Sequence, residues 1–380
     1  MEWRRIIYAL SLLAVLSGCQ IDPPLHLRTL VETDVELKME FDVDMMWQVD
    51  WQAEWNFDWD VEVLGDVGYS EPASMRMHSW SLGPDGERRS HVVNNFSGTQ
   101  GRVKILAGTY DLLFHNNDSE VNLFTAEDEL ADQHSYTRVI AKGLRDAYPV
   151  QTLQQKASAG TKADEVTLEE AVTFLPDELF TMYDPAYFIS DNLDDYDYVD
   201  GHYILRIKGN LHPATFIYLI QVYLRNNNGR VVSSSGGAAL TGVAEGVNLV
   251  SNLTHTQTVC VPFEMYINKE SDPDLIGGRC LTFGIPGCNP YDEASVAAAP
   301  DGHHFLVLNV IYNTGTYKNI RVDITDKFRE LPTGGVITIE LDVDDFPPGG
   351  DDPPAPEGGG GFEAVIGDWN EEIGSTTIIN

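Results

Sequence analysis

Basic residues are scarce: 24 Lys and Arg stand against 59 Asp and Glu in 380 residues, a formal charge of −35. Nucleic acid is excluded as a partner, because a nucleic-acid binder needs a basic stripe to displace counterions. No apolar stretch reaches the roughly 20 residues of a membrane-spanning helix. Also missing are a nucleophile elbow, a P-loop, a dinucleotide fingerprint and a zincin helix. Carboxylates are so abundant that spacing selects no catalytic pair. No enzymatic activity, cofactor or resident metal is therefore expected. What remains is a chain long enough for two hydrophobic cores.

The one hydrophobic run has a purpose. Arg4 and Arg5 precede Ile6–Leu16, the layout of a secretory signal too short to span a bilayer. It ends in Leu16-Ser17-Gly18-Cys19, which looks like a bacterial lipobox. Residues 1–18 are read as the signal peptide and Cys19 as the lipid anchor, carrying acyl chains such as palmitate. Gln20 follows, not the Asp of an inner-membrane retention signal, so the expected address is the outer membrane, at the cell surface. The acidic body should stand off from anionic headgroups.

Residues 31–63 alternate. Odd positions run Val31, Thr33, Val35, Leu37, Met39, Phe41, Val43, Met45, Trp47, Val49, Trp51, Ala53, Trp55, Phe57, Trp59, Val61, Val63, and even positions are polar except Met46. Period two predicts β-strand with one buried face. The segment would extend about 105 Å at roughly 3.3 Å per residue, so it must fold back, near residues 42–44 and 56–58. Further strands are expected at 102–106, 110–115, 203–208, 216–224, 247–253, 257–267, 280–285, 305–312, 319–324 and 336–344, separated by Gly, Pro, Asn and Asp turns. Many short strands with this punctuation predict an all-β chain of sandwiches. One helix is expected around Ala163–Phe174. The Asp- and Tyr-rich stretch 176–200 is the candidate boundary, giving sandwiches over 27–185 and 195–345. A Pro/Gly/Asp linker follows over 346–361, and a terminal strand segment over 362–380.

Trp47, Trp51, Trp55 and Trp59 share one face, either as core filling or as an aromatic platform for sugars; their aliphatic neighbours favour the core. Asp194–Gly201 offers oxygens for calcium but lacks the register of an EF-hand loop, and reads as a solvated acidic linker. His303 and His304 are read as a surface pair. Cys260, Cys280 and Cys288 remain after lipidation. Cys280–Cys288 is the first candidate disulfide and Cys260–Cys280 the second.

Leu106-Ala107-Gly108-Thr109-Tyr110-Asp111-Leu112-Leu113 leading to Asn116-Asn117-Asp118, Leu175-Pro176-Asp177-Glu178-Leu179-Phe180, and the closing Gly361–Trp369, together with the lipobox, resemble the fimbrillin-related (Mfa-like) outer-membrane lipoproteins of the type V pilus superfamily. The resemblance implies two transthyretin-like or immunoglobulin-like β-sandwich domains in tandem and no catalysis. It also implies assembly by strand exchange, for which Phe362, Ala364 and Ile366 are the candidate donor positions. In shaft subunits of such a family an arginine-directed protease releases the first strand. Here Arg28 precedes the alternating segment and the next arginine is Arg76. The expectation is thus an uncut, lipid-anchored fimbrial anchor or accessory subunit. Its partners would be the outer membrane, other fimbrial subunits, and a glycan or host surface. A surface glycan-binding lipoprotein serving an uptake system is the alternative.

Overall fold

The computed structural model describes residues 30–39, 53–125, 129–140, 153–154, 167–168, 170–199, 202–233, 237–350, 352, 354 and 376–379. The strands of the first half are β1 (Leu30–Met39), β2 (Ser74–Leu82), β3 (Arg88–Ser97), β4 (Gln100–Leu106), β5 (Gly108–Asn116), β6 (Asn122–Phe124), β7 (His134–Thr137), β8 (Leu153–Gln154), β9 (Thr167–Leu168), β10 (Ala171–Val172), β11 (Phe180–Ile189), β12 (Asp197–Val199) and β13 (His202–Pro213). Those of the second are β14 (Phe216–Arg225), β15 (Val231–Ser233), β16 (Ala238–Ala244), β17 (Gly246–Asn248), β18 (Thr258–Phe263), β19 (Tyr266–Asn268), β20 (Asp274–Thr282), β21 (Phe305–Tyr312), β22 (Tyr317–Asp323), β23 (Gly335–Asp342) and β24 (Thr376–Ile379). Short helices, among them α1 (Val61–Leu64), α2 (Glu293–Ala297) and α3 (Thr325–Arg329), punctuate the described strands. The all-β class expected from the sequence is what the chain adopts.

The first core lies between β2, β5 and β11 on one side and β4 and β13 on the other. Met75, Met77, Leu112, Phe114 and Phe180 meet Val103, Ile105, Ile207 and Leu211 there. β1 is an interior strand, parallel to β13 and antiparallel to β4, so its backbone is satisfied on both edges. The register explains the alternation. Val31 and Thr33 stand opposite Ile105 and Val103, and Val35 opposite Ile207. In the same register Glu32 stands opposite Lys104, Asp34 between Arg102 and Arg206, and Glu36 opposite Lys208.

The second core lies between the sheet β19-β20-β14-β23 and the sheet β10-β18-β16-β21-β22-β24. Every even residue of β14 from Phe216 to Leu224 enters it, facing Leu240, Val261, Leu306, Leu308 and Ile320. The odd residues Ile217 and Leu219 are equally buried on the other face, with Leu281 and Val336. A strand apolar on both faces needs a cover on each. The outer cover is the strap 54–69, which comes from the N-terminal part of the chain and presses Trp55, Val67 and Tyr69 onto that patch. Gln221, the one polar residue in the run, is answered by the strap's backbone: the Asn56 N–H donates to its Oε1 at 2.9 Å and its Nε2 donates to Glu54 O at 2.7 Å.

The two cores meet at the motif Leu175–Phe180. Asn116 donates to Glu178 O at 2.9 Å and accepts from the Phe180 N–H at 2.7 Å, so the two sequence motifs quoted above are one structural unit. The Leu179 N–H donates to Thr215 Oγ1 at 2.9 Å, and Tyr69 donates to Thr215 O at 2.7 Å. Arg279 of β20 completes the junction. It donates to Val67 O (3.0 Å) and Gly68 O (3.1 Å) on the strap and forms a 2.6 Å ion pair with Glu178.

Two expectations are corrected. The alternating segment is strand only over β1. Residues 53–54 and α1 are helical and 55–60 run over another sheet, because their apolar side chains find a surface built by distant sequence; residues 40–52 lie outside the described part. The helix expected over 163–174 is replaced by β9 and β10, since Val172 pairs with Cys260 and is fully buried, and sheet partners outweigh local propensity. β11 and β13 lie in the sheet that holds β1, and β10 lies in the sheet that holds β18.

Arg279 and Glu178 are only 18% and 20% exposed at their side chains. Replacing Arg279 with Met leaves a shielded carboxylate and two freed carbonyl acceptors. The expected cost is about 2–4 kcal/mol in denaturant unfolding, with faster proteolysis within 54–69. Unchanged stability and protease resistance would remove Arg279 from this role.

Candidate functional site

The aromatic residues of the strap form a cluster on the outer face of β19-β20-β14-β23. Phe57 is buried over Gly277, where an added Cβ would come within 2.3 Å of the ring. Trp55 lies 5.7 Å from Phe57, and Trp59 lies 6.4 Å from Trp55, from Phe57 and from Tyr266. All four contacts are tilted or edge-on. Asp60 caps α1 by accepting from the Glu62 N–H at 3.0 Å, and Trp59 Nε1 donates to Gly65 O at 2.9 Å, which turns the chain back after the last indole. Trp55 and Trp59 are half-buried and sit outside the sandwich core expected for them. They pack on the sheet's outer face because the open β14–β20 surface needed a cover. Trp47 and Trp51 lie outside the described residues, as do Cys19, Phe362, Ala364 and Ile366.

The C-terminal strand is nevertheless in place. β24 pairs in parallel with the edge strand β22, Asn319 to Val322 against Thr376 to Ile379, so that edge is filled by the chain itself.

The candidate disulfide is not formed. Cys260, Cys280 and Cys288 are all buried thiols outside any disulfide. The Cys280 and Cys288 thiols approach the carbonyls of Leu281 (3.8 Å) and Ile285 (3.5 Å), and burial raises the pKa of both. A thiol held in its neutral form in an apolar core is a poor nucleophile for exchange. The acidic run is also engaged: Asp195 accepts from Ser190, and Asp197 pairs with Arg206 at 3.2 Å. Among the described residues no group of three or more His, Cys, Asp or Glu is placed to hold a metal ion. The expected surface pair of histidines splits. His303 is exposed, whereas His304 is buried against Phe328 with ring centroids 4.5 Å apart.

A histidine chain runs on the outer face of β2-β3-β5, and no local pattern signals it because its members come from three strands. His91 Nε2 lies 3.0 Å from His78 Nδ1, His78 Nε2 lies 3.2 Å from His115 Nε2, and His115 Nδ1 lies 2.9 Å from Asn116 O. The carbonyl fixes the tautomers in turn. His115 must donate from Nδ1, so its Nε2 accepts from His78; His78 Nδ1 then accepts from His91. The chain is complete with every ring neutral. Trp80 stacks on His91 at 4.5 Å and 3°, and Phe124 on His115 at 4.5 Å. Burial, reinforced for His78 by its two histidine neighbours, lowers the pKa of His78 to about 3; burial likewise brings His115 to about 4.

Neither ring accepts a proton while folded, whereas both do so near 6.5 when unfolded. The unfolded chain therefore binds more protons as pH falls below about 6.5. The stabilisation is complete above that pH and is lost progressively toward pH 3–4. Between pH 8 and pH 5 the loss should be about 2 kcal/mol for each ring. Thermal unfolding across that range should show a falling Tm, and His78→Gln should flatten the slope. An equal slope in both proteins would contradict the linkage.

No curated protein matches the chain. Among solved structures it is similar to a candidate adhesin from Bacteroides ovatus ATCC 8483, at 13% identity over 83% of this chain and 93% of that one with a TM-score of 0.44. It is similar to candidate polysaccharide-binding proteins from Bacteroides thetaiotaomicron VPI-5482, at 9% identity over 82% and 91% with a TM-score of 0.41. It is also similar to the fimbrial anchor protein Mfa2 from Porphyromonas gingivalis, at 13% identity over 83% and 91% with a TM-score of 0.36. The prokaryotic membrane lipoprotein lipid attachment site matches residues 4–20, the stretch that contains Cys19. The family model described as a domain of unknown function, DUF5119, matches residues 45–264, more than half of the sequence, and the chain belongs to that family.

Proposed function

We propose that this chain is a non-enzymatic lipoprotein of the outer-membrane surface, acylated at Cys19, which serves as an anchor or accessory subunit of a fimbrial assembly and keeps its own first strand. One observation carries the reading: β1, eleven residues after Cys19, is an interior strand paired with β4 and β13. The lipid tether thus continues directly into the middle of a sheet. Pulling on the anchor loads two ladders of backbone hydrogen bonds, and cutting behind β1 would leave β4 detached from β13. The body consists of two tandem sandwich domains that meet at Ala214-Thr215. Contact with neighbouring subunits runs through the C-terminal segment, for which Phe362, Ala364 and Ile366 are the candidate donor positions. An edge such as β22 is satisfied by any strand in register, the chain's own or a neighbour's.

Two experiments test this. N-terminal analysis of the cell-surface form should find acylated Cys19 as the first residue; a start beyond Met39 would overturn the uncut anchor. Deleting residues 362–380 should leave a folded monomer that no longer enters high-molecular-weight assemblies on size exclusion. Undiminished assembly would overturn strand donation by the tail.

A further inference from the structure

The first sandwich has two different ends. One is the junction, where Asn116, Phe180, Pro213 and Ser74 end or begin their strands beside the second sandwich. The other is defined by register. Leu30 stands opposite Leu106, Thr109 stands between Phe188 and Leu82, and Tyr198 stands opposite Tyr203 at the start of β13. Here β1 enters, and this end faces away from the second sandwich.

Large hydrophobic side chains are exposed at this outer end: Phe188 at 65%, Tyr198 at 66%, Leu193 at 43% and Leu106 at 38%. Phe188 and Tyr198 are the two most exposed aromatic residues among those described. Three of the four flank one short loop that is closed on itself. Tyr196 donates to Ser190 O, Ser190 Oγ donates to Asp195, and Asn192 caps the turn by accepting from the Asp194 N–H at 3.2 Å. The loop is thereby held with Leu193 on its outer side. Exposed aromatic and aliphatic side chains of this size are costly in water unless something covers them.

The tether names the occupant. Cys19 lies eleven residues before Leu30, so a fully extended connection spans at most about 40 Å. The tether enters the fold at this end, so a chain acylated at Cys19 holds it within that distance of the bilayer. We propose that Leu106, Phe188, Leu193 and Tyr198 form a collar that rests in the interfacial layer of the membrane; the proposal relies on the acylation of Cys19 argued above. Aromatic rings with one wet side suit that layer, and a partly buried apolar surface adds to acyl anchoring. Asp191, Asp194, Asp195 and Asp197 lie in the same stretch and repel anionic headgroups. The collar is suited to zwitterionic lipid, and it orients the molecule with the second sandwich outward.

The test uses the acylated full-length chain in phosphatidylcholine vesicles, with and without brominated acyl chains. Phe188→Trp adds an indole at the collar, and Leu253→Trp, at a 47% exposed position in the second half of the chain, serves as control. Emission gained over the parent protein should be quenched at least twofold by brominated lipid for Phe188→Trp and unchanged for Leu253→Trp. Including 30% phosphatidylglycerol should weaken the quenching. Intact mass of the vesicle-bound protein reports acylation separately. An acylated, vesicle-bound Phe188→Trp protein without quenching overturns the collar; quenching that strengthens with phosphatidylglycerol overturns the headgroup preference; an unacylated Cys19 overturns the tether on which both depend.

Discussion

The fold depends on a strand that has no free edge. β1 lies between β4 and β13, so each of its peptide groups has a partner on one side or the other. An interior strand is the most expensive element to remove, because its loss strands donors and acceptors on two neighbours at once and opens the apolar layer between the sheets. The register is doubly specified: Val31 and Val35 are set against buried Ile105 and Ile207, and Glu32, Asp34 and Glu36 against the basic residues of β4 and β13. A slip by one residue would reverse both patterns. The sequence joins that strand to Cys19 by a short connection, so fold and anchorage are mechanically in series.

The second constraint is the doubly buried β14. With Ile217 and Leu219 on one face and Tyr218 and Ile220 on the other, it cannot be exposed on either side. Residues 54–69 supply the outer cover, and Arg279 fixes that cover to Glu178 in the linking motif. The two sandwiches are thus coupled by side chains and carbonyls from three separated stretches.

Much of the fold was legible. β1, β4, β5, β14, β21, β22 and β23 follow from alternation or unbroken apolar runs, and the lipid site from its residue order. What escaped did so for identifiable reasons. β11 carries Asp184, Pro185 and a bulge at Ala186, and reads as a linker until Leu113 and Phe114 are known to lie beside it. β2 and β3 are rich in His, Arg, Ser and Asn because one face meets the histidine chain and the other strand is an exposed edge. The strap carries a strand's alternation because period two reports an alternation of environments, not which part of the chain provides them. The histidine chain has sequence separations of 13 and 37, and no local pattern encodes it. Cys280 and Cys288 suggested a bond through proximity in sequence, yet both thiols point into apolar packing.

The central claim is that the first strand is a permanent interior member of the sandwich. Native-state hydrogen exchange on the intact chain tests it most directly. The amides of residues 31–39 should exchange as slowly as those of Ile204–Leu211 on β13, and both sets should be released together at the global unfolding free energy. Exchange of residues 31–39 at the rate of an open loop, with β13 still protected, would contradict the account.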